Sequence, residues 1–382
     1  MIKIKTKNLD IFKNRPRMNF TIHEGNIVIK NLGKFTTVPQ IVLDISNGDI
    51  KGLESALKNG LDINKKIKTV CKTPIDLAMI TEQFDSVRWL VSKGADLNAE
   101  DSPSFLTAVS YCNEEVIRYL AENGANIHAV KNFGRDAFDQ ALSHQRYDNF
   151  HIINELGHTV KEYGGYAFRM AVLSNQKEAV GFFIDNGVDI NYHLSNIVFE
   201  YNETPLCVAV ENANLDMVKY LMEHGADVTF PDKRGMRPYN YAMEQGNYKM
   251  AEYIKSFEPA ELHNLQNKLQ DLETYKLPEA LLTFLQSDNL RMELGKDYTF
   301  EHIEFFSLVD TIEMKIGRRK LLRISKETGD YPDLIIVWNP KAQCVAYYDT
   351  EHEEFGNIAP FEEFMQNAGE YMERVLNGEY EI

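Results

Sequence analysis

The sequence predicts a multidomain protein in which an all-α solenoid of about seven repeated helix pairs is followed by a small α+β domain. A glycine-centred pattern recurs about every 33 residues between residues 39 and 259, and runs rich in β-branched and aromatic residues replace it afterwards. The length of 382 residues and the hydrophobic content of 44% suit two or three globular domains. We therefore expect an N-terminal extension at residues 1–38, a repeat domain at 39–259 and a C-terminal domain at 260–382.

The N-terminal extension contains one short segment with the pattern of a β-hairpin. Residues 21–29 place short runs that contain β-branched residues on both sides of a Gly25-Asn26 turn. We expect this hairpin to cover the first repeat.

The repeat is defined by a helix-opening motif and a glycine 21 residues later. Thr73-Pro74 and Thr204-Pro205 open two units, and Gly94 and Gly225 close them. Proline is tolerated in the first turn of a helix, and glycine is favoured where a helix ends in the left-handed conformation. Successive closing glycines are 34, 30, 33, 30 and 38 residues apart, and they lie at Gly60, Gly94, Gly124, Gly157, Gly187 and Gly225.

This period, with an alanine five residues after the opening, resembles the ankyrin repeat, and the resemblance implies a stack of helix pairs that binds proteins. The array departs from the family in one position. Typical ankyrin repeats have histidine as the fourth residue of the opening, whereas this chain has Val42, Asp76, Leu106, Asp139, Arg169, Cys207 and Asn240.

The last 120 residues predict two helices, four strands and a final helix. An apolar spacing of three or four residues indicates a helix over Glu261–Tyr275, and Leu277-Pro278 precedes a second helix over Glu279–Gln286. The final helix is expected from Ala359 to Val375. The expected strands are Ile303–Leu308, Lys320–Ser325, Leu334–Trp338 and Val345–Tyr348.

Three places in this segment resemble the SUKH superfamily, also called the SMI1/KNR4 family. They are the helix restart at Leu277-Pro278-Glu279, the hairpin from Asp333 to Asp349, and the helix entry at Ile358–Phe364. The resemblance implies a non-enzymatic binding domain, because SUKH domains are best known as immunity proteins of bacterial toxin systems. The asparagine-glycine pair common after the second helix is replaced by Asp288-Asn289.

Several classes of function are disfavoured by what the sequence lacks. It contains no nucleotide-binding loop, nucleophile elbow or zinc-protease motif, so we expect no enzyme, cofactor, metal site or small-molecule substrate. No strongly apolar run exceeds five residues, so we expect no membrane association. The four cysteines form no CxxC pair, which is typical of inert, buried thiols in a cytoplasmic protein.

The charge distribution indicates the chemistry of the partner. The chain carries a net charge of −16, and residues 260–382 hold 12 basic and 24 acidic residues, a net charge of −12. Phosphate backbones are repelled by such a surface, so we expect no nucleic-acid partner. A basic protein, such as a nuclease toxin domain, fits better, although solubilising surface charge explains the same acids.

The candidate partner-binding residues of the repeats are aromatic side chains at loop tips, together with Tyr111 on the first helix of a repeat. In the longest loop, residues 191–203, either self-packing or a partner explains the inserted apolar residues. In the C-terminal domain, aromatic residues interleaved with acids form a second candidate surface, although Tyr347 and Tyr348 also fit an ordinary strand with one face buried. The candidates are Tyr111, Phe133, Tyr163, Tyr192, Phe199, Tyr201, Phe230, Tyr347, Tyr348, Asp349, Glu351, Glu353, Glu354 and Phe355.

Two functions from different classes follow from these observations. The first is an immunity protein that neutralises a cognate bacterial toxin by direct stoichiometric binding. The alternative is a general cytoplasmic ankyrin scaffold or regulator that mediates other protein–protein interactions.

Overall fold

The computed structural model describes residues 3–5, 20–23, 26–296, 298–329 and 331–379. The chain divides into two units, Met1–Asp189 and Ile190–Ile382, and each unit is described by itself. The division falls inside the predicted repeat array, and the predicted domain boundary between residues 259 and 260 stays a prediction.

Among the described residues, five short strands precede the first helix. They are β1 Lys3–Lys5, β2 Phe20–His23, β3 Asn26–Ile29, β4 Gly33–Phe35 and β5 Thr37–Pro39. β2 pairs antiparallel with β3, as the hairpin pattern predicted, and β3 pairs with β4. Gly25 of the predicted turn lies outside the described residues.

The first unit then continues with helix pairs joined by short turns. Its helices are α1 Gln40–Ser46, α2 Ile50–Lys58, α3 Pro74–Ile80, α4 Phe84–Ser92, α5 Ser104–Tyr111, α6 Glu114–Glu122, α7 Ala137–Ser143, α8 Phe150–Glu155, α9 Val160–Tyr163, α10 Gly165–Leu173 and α11 Lys177–Asp185. First helices of successive repeats pack on each other, α1 on α3, α3 on α5 and α5 on α7. Leu43, Leu77 and Ala108 are fully buried in this stack.

The second unit begins with two further helix pairs. With them, each of the seven predicted repeats has a helix pair. They are α12 Pro205–Glu211 with α13 Leu215–Glu223, and α14 Pro238–Glu244 with α15 Tyr248–Lys255. The Thr204 hydroxyl accepts a hydrogen bond from the backbone N–H of Cys207, which caps α12 as the opening motif predicted. Gly225 follows α13 with φ of +94°, a conformation that disfavours any side chain.

The side chain at the position that normally holds histidine is buried in all seven repeats. One of these side chains, Asp76, makes hydrogen bonds within the stack. Asp76 is 2% exposed and accepts hydrogen bonds from the hydroxyls of Thr73, Ser102 and Thr107 at 2.7, 2.8 and 3.1 Å. Since Ser102 and Thr107 belong to the next repeat, this carboxylate joins two repeats. The divergent residue therefore preserves a regular stack.

The C-terminal part opens with interrupted helical segments rather than with the continuous helix predicted over Glu261–Tyr275. A 3-10 turn at Ala260–His263 is followed by α16 Leu265–Asp271 and a second 3-10 turn at Leu272–Tyr275. The Asn264 side chain accepts hydrogen bonds from the backbone N–H groups of Gln266 and Asn267, so it starts a new helix inside the predicted one. α17 covers Glu279–Leu285, and α18 covers Phe361–Leu376.

Eight strands follow α17, so the prediction of four strands was incomplete. They are β6 Arg291–Glu293, β7 His302–Phe305, β8 Ile312–Ile316, β9 Arg319–Arg323, β10 Ser325–Glu327, β11 Leu334–Asn339, β12 Cys344–Asp349 and β13 Glu354–Ala359. Five of them form an antiparallel sheet in the order β13-β12-β11-β9-β8, and three form a sheet in the order β10-β7-β6. The predicted strand at Lys320–Ser325 is divided between β9 and β10, which lie in different sheets.

The five-stranded sheet has one apolar face in the main core and a smaller apolar cluster on the other. Trp338 lies in the main core with α17 and α18, and its indole N–H donates to the backbone carbonyl of Tyr275 at 2.9 Å. Leu321, Val337 and Ala346 form the centre of the smaller cluster and are fully buried.

Within the second unit, the last repeat packs against this sheet. Gly235, with φ of +81°, approaches β8 so closely that an added Cβ would lie 2.3 Å from the carbonyl oxygen of Glu313. Buried Arg323 of β9 pairs with Glu244 of α14 at 2.5 Å. The Tyr239 hydroxyl donates to Asp310 at 3.0 Å. The last helix pair is therefore packed against the sheet that follows it in the chain.

Candidate functional site

The long loop at residues 191–203 is held in place by its own side chains. The Asn196 side-chain oxygen accepts hydrogen bonds from the backbone N–H groups of Val198 and Phe199 at 2.8 and 3.0 Å. Phe199 is 4% exposed, so the structure removes it from the predicted partner-facing residues. Self-packing, one of the two explanations left open by the sequence, accounts for this aromatic side chain.

The same loop leaves three aliphatic side chains in solvent. Leu194, Ile197 and Val198 are 61%, 63% and 43% exposed. We call these three residues the aliphatic surface. Because Phe199 already anchors the loop, the aliphatic surface is not needed to hold it in place, and its exposure has an unfavourable hydration cost.

Three other predicted residues of the second unit lie partly buried around this loop. The Tyr201 ring stacks under the Arg234 guanidinium at 4.1 Å, and its hydroxyl lies 3.5 Å from the backbone oxygen of Thr350. Phe230 contacts the His193 ring at 4.5 Å between centroids, and Tyr192 is half-buried. These contacts make them supporting residues of the loop that retain some exposed surface.

In the first unit, Phe133 is the most exposed of the predicted residues. It is 80% exposed, and Val130 beside it is 57% exposed. The tip is closed by backbone hydrogen bonds in both directions between Lys131 and Arg135. Phe133 has φ of +63°, a left-handed conformation that is uncommon for a bulky residue. The loop therefore presents an aromatic ring to solvent in a strained backbone.

The remaining predicted residues of the first unit are half-buried. Tyr163 ends α9 and stacks on the buried His158 ring at 4.1 Å between centroids. Tyr111 contacts the His144 ring at 5.0 Å. Both aromatic rings already have neighbours within the chain.

The C-terminal candidate surface is divided by the alternation of β12. Tyr347 is 3% exposed and lies in the main core, whereas Tyr348 faces the other side and is half-buried. This is the strand arrangement that the sequence left open, and it removes Tyr347 from the exposed candidates. The exposed acids are Glu351, Glu353 and Glu354, and half-buried Phe355 follows them in β13.

Asp349 shapes the turn between β12 and β13. Its carboxylate accepts hydrogen bonds from the backbone N–H groups of Glu351 and His352 and from the His352 ring. Partial burial raises the pKa of Asp349, but these hydrogen bonds outweigh it and the net shift is downward. The hydrogen bond from Asp349 raises the pKa of His352. The acids at this turn are therefore held in an ordered surface.

The thiols of the chain differ in burial. Burial raises the pKa values of the Cys112 and Cys207 thiols to about 12, which makes them unreactive. Cys71 is exposed, contrary to the expectation that all four cysteines are buried. Across the part of the chain that the structure describes, no three His, Cys, Asp or Glu side chains are grouped to hold a metal ion.

Two features of the surface were missed by the sequence analysis. Val130 beside Phe133 was not identified as exposed. A basic groove formed by turns of the C-terminal sheet was also missed, although Arg318, Arg319 and Lys320 are consecutive and were a visible signal.

The comparisons with known proteins concern the repeats. Family models match residues 168–264 as ankyrin repeats in three copies, residues 105–153 as ankyrin repeats in many copies, and residues 71–102 as one ankyrin repeat. These matches end at residue 264, so the resemblance of residues 260–382 to the SUKH superfamily stays a prediction. Among the helices that the structure describes, none has the length and apolar character needed to span a bilayer.

The similar curated proteins come from bacteria, viruses and animals. An ankyrin repeat protein of Rickettsia felis is 26% identical over 53% of this chain and 42% of its own length. The human transient receptor potential cation channel subfamily A member 1 is 24% identical over 48% of this chain and 17% of its own length. The chain thus spans less than half of these two relatives. The ankyrin repeat protein YahD of Escherichia coli is 26% identical over 56% of this chain and 92% of its own length.

Among solved structures, the ankyrin repeat domain of Bcl-3, a member of the IkappaB protein family, aligns with a TM-score of 0.44 and 26% identity. The alignment covers 51% of this chain and 91% of that domain. The family matches coincide with the helix pairs, and the N-terminal and central part of this chain is an ankyrin-repeat solenoid.

Proposed function

We propose that this protein is a non-enzymatic scaffold that binds another protein through the loops of its ankyrin repeats. The observation that carries the proposal is the aliphatic surface of Leu194, Ile197 and Val198 on an ordered loop. Exposed apolar side chains on a fixed loop are typical of interaction sites, since burying them against a partner removes apolar area from water.

The exposed ring of Phe133 supports the same function from the first unit. An aromatic side chain in a left-handed conformation costs free energy of about 1–3 kcal/mol without a gain in internal packing. A partner that buries the ring would compensate for this cost. We place Phe133 beside the aliphatic surface as the second residue that contacts a partner.

The scaffold function is favoured over toxin neutralisation, which the sequence ranked first. The matched families and relatives concern ankyrin repeats, and they give no indication of a toxin or nuclease partner. We place the protein in the cytoplasm with a protein partner and without a catalytic step.

The proposal is tested by site-specific photo-crosslinking of the full chain in its native cell. A photoreactive residue replaces Ile197 in one variant and Leu376 in a matched control, because Leu376 is an exposed aliphatic residue at the end of α18. We expect a discrete crosslinked protein from position 197 that position 376 does not give.

The captured partner is then purified and its affinity measured against wild type and Ile197→Ser/Val198→Ser. A loss of at least about 10-fold is expected from two buried aliphatic contacts. Equal crosslinking at the two positions, or unchanged affinity, would overturn the assignment of the loop. A partner that arrests growth when expressed alone would restore the toxin-neutralising function.

A further inference from the structure

A groove at one end of the five-stranded sheet has a charge opposite to that of its surroundings. Its volume is about 940 Å³, and it is lined by Arg318, Arg319 and Lys320 of the β8–β9 hairpin, by the β11–β12 turn with Lys341, and by Phe355 to Asn357 of β13. No carboxylate is among its lining residues, although residues 260–382 carry a net charge of −12. We call this feature the basic groove.

Three of the basic side chains remain available for a ligand. Arg318, Arg319 and Lys341 are exposed. Over the described part of residues 260–379, the cations in ion pairs are other residues, namely His263, Arg291, His302, Arg323, Lys326, His352 and Arg374. Lys320 is engaged inside the chain, since its ammonium donates to the Thr274 hydroxyl at 2.8 Å and lies over the Tyr275 ring.

The walls of the basic groove are fixed by contacts within the sheet. The Arg319 guanidinium lies over the Phe355 ring at 4.8 Å, which orients its planar fork. The Asn339 side-chain oxygen accepts hydrogen bonds from the backbone N–H groups of Lys341 and Ala342, and its amide donates to Asn357 at 2.8 Å. Because Arg319 is oriented by Phe355 and Lys341 stands on a hydrogen-bonded turn, less ordering is needed on binding.

We propose that the basic groove binds a short segment of a partner protein that is rich in Asp and Glu. A guanidinium fork matches a carboxylate with two parallel hydrogen bonds, and a lysine beside it accommodates a second acid. The volume lies within the range of about 300–1,000 Å³ found for ligand clefts. The occupant thus has the opposite charge to the basic partner that the overall charge of the chain predicted.

The surroundings of the basic groove favour a short peptide over a nucleic acid. Glu351, Glu353 and Glu354 are exposed immediately before Phe355 in the chain. A polynucleotide that continued along β13 past Phe355 would meet this acidic segment and be repelled. A short acidic peptide can end inside the groove and avoid it.

The test measures binding of a fluorescein-labelled peptide of about eight residues, alternating Glu and Gly, to the full chain by fluorescence anisotropy. We expect saturable binding that weakens as NaCl is raised, because exposed charges are screened beyond a Debye length of about 8 Å at 0.15 M. The variant Arg318→Gln/Arg319→Gln/Lys341→Gln should weaken binding by at least about 10-fold, since it removes the charge-assisted hydrogen bonds to the carboxylates of the peptide.

A control variant changes the net charge equally at a distant part of the chain. Lys51→Gln/Lys58→Gln/Lys65→Gln removes three exposed lysines of the first unit and should leave the affinity within about 2-fold. Equal effects of the two triple variants, or no saturable binding by wild type, would overturn the proposal. Tighter binding of a labelled single-stranded DNA of the same charge, lost in the groove variant, would also overturn it and assign the groove to nucleic acid. Failure of this test leaves the proposed function of the aliphatic surface intact, because the two surfaces share no residue.

Discussion

The helix pairs of the repeats and the five-stranded sheet of the C-terminal part bury their apolar residues over different distances along the chain. In the first unit, each first helix packs on its own partner and on the first helices of neighbouring repeats. In the sheet, the Trp338 side chain donates a hydrogen bond to the distant Tyr275 carbonyl. The strand β12 lies between β11 and β13, and α18 packs on the same core. Local contacts make a repeat array tolerant of change at its loops, whereas a sheet core connects segments that are far apart in sequence.

The two regions also offer different surfaces to a partner. The repeats expose single apolar side chains on loop tips, as Phe133 and Ile197 do. The sheet instead exposes charges from its turns, basic around Arg319 and acidic around Glu353. We therefore expect binding by the repeats to depend on the burial of apolar area, and binding by the sheet to depend on the salt concentration.

The largest expected effect is on the sheet core. Trp338→Ala should lower the free energy of unfolding of the C-terminal part by about 3–5 kcal/mol, because it leaves a cavity and an unpaired Tyr275 carbonyl. Urea denaturation followed by circular dichroism measures this loss. Trp338→Phe is the control and should lose less than half as much. A loss below about 1 kcal/mol for the alanine variant would contradict the role of Trp338.

The next effect concerns the link between two repeats. Asp76→Ala should cost about 2–3 kcal/mol, since buried Thr73 and half-buried Ser102 and Thr107 would lose the shared acceptor of their hydroxyls. Thermal and urea unfolding of the full chain measure it. Asp85→Ala, an exposed acid of α4, is the control and should change stability by less than about 0.5 kcal/mol. Equal stabilities of the two variants would refute the linking role of Asp76.

A third prediction uses the pH dependence of the repeats. Burial, followed by the nearby charge of Asp136, raises the pKa of Asp139 to about 8. Asp139 therefore holds a proton in the folded chain that the unfolded chain releases near pH 4, so its contribution to stability declines as pH rises from about 4 to about 8. Asp139→Asn should stabilise the protein by about 2 kcal/mol at pH 8 and hardly at all at pH 4.

Differential scanning calorimetry at pH 4, 6 and 8 measures this gain. Asp85→Asn, the same change at an exposed acid of α4, is the matched control and should change stability by less than about 0.5 kcal/mol at each pH. A gain for Asp139→Asn that does not grow with pH would show that the carboxyl is ionised in the folded chain.

The smallest effect on stability is expected at the loop tip. Phe133→Gly should raise stability by up to about 1 kcal/mol, because glycine adopts a positive φ without steric cost and the exposed ring has little packing to lose. The same variant should weaken binding of the crosslinked partner. Stability is measured by urea unfolding, and the exposed neighbour Asn132→Gly is the control. A clear loss of stability would indicate that Phe133 packs inside the chain.

Much of the repeat array follows from the sequence because its determinants are local. Thr204 and Pro205 start a helix, Gly225 ends the pair, and the offset between them places the remaining units. The sheet was less predictable. β8 was missed although Ile312, Met314 and Ile316 alternate with exposed Glu313 and Lys315, because its pairing with β9 is not visible in its own residues.

The candidate surfaces show the same limit. Phe199 and Ile197 are two apolar residues of one loop, yet only the fold buries the first and exposes the second. Arg319 and Lys341 are distant in sequence and share a groove because two hairpin turns lie at the same end of the sheet.

Caps, glycines and apolar periodicity act within a few residues, so they were enough to predict seven repeated helix pairs followed by an α+β segment. Which side chains face solvent and which charges meet could not be predicted in the same way, because burial and electrostatic contact depend on residues that are distant in the chain and come together only in the fold. The aliphatic surface and the basic groove belong to this second class.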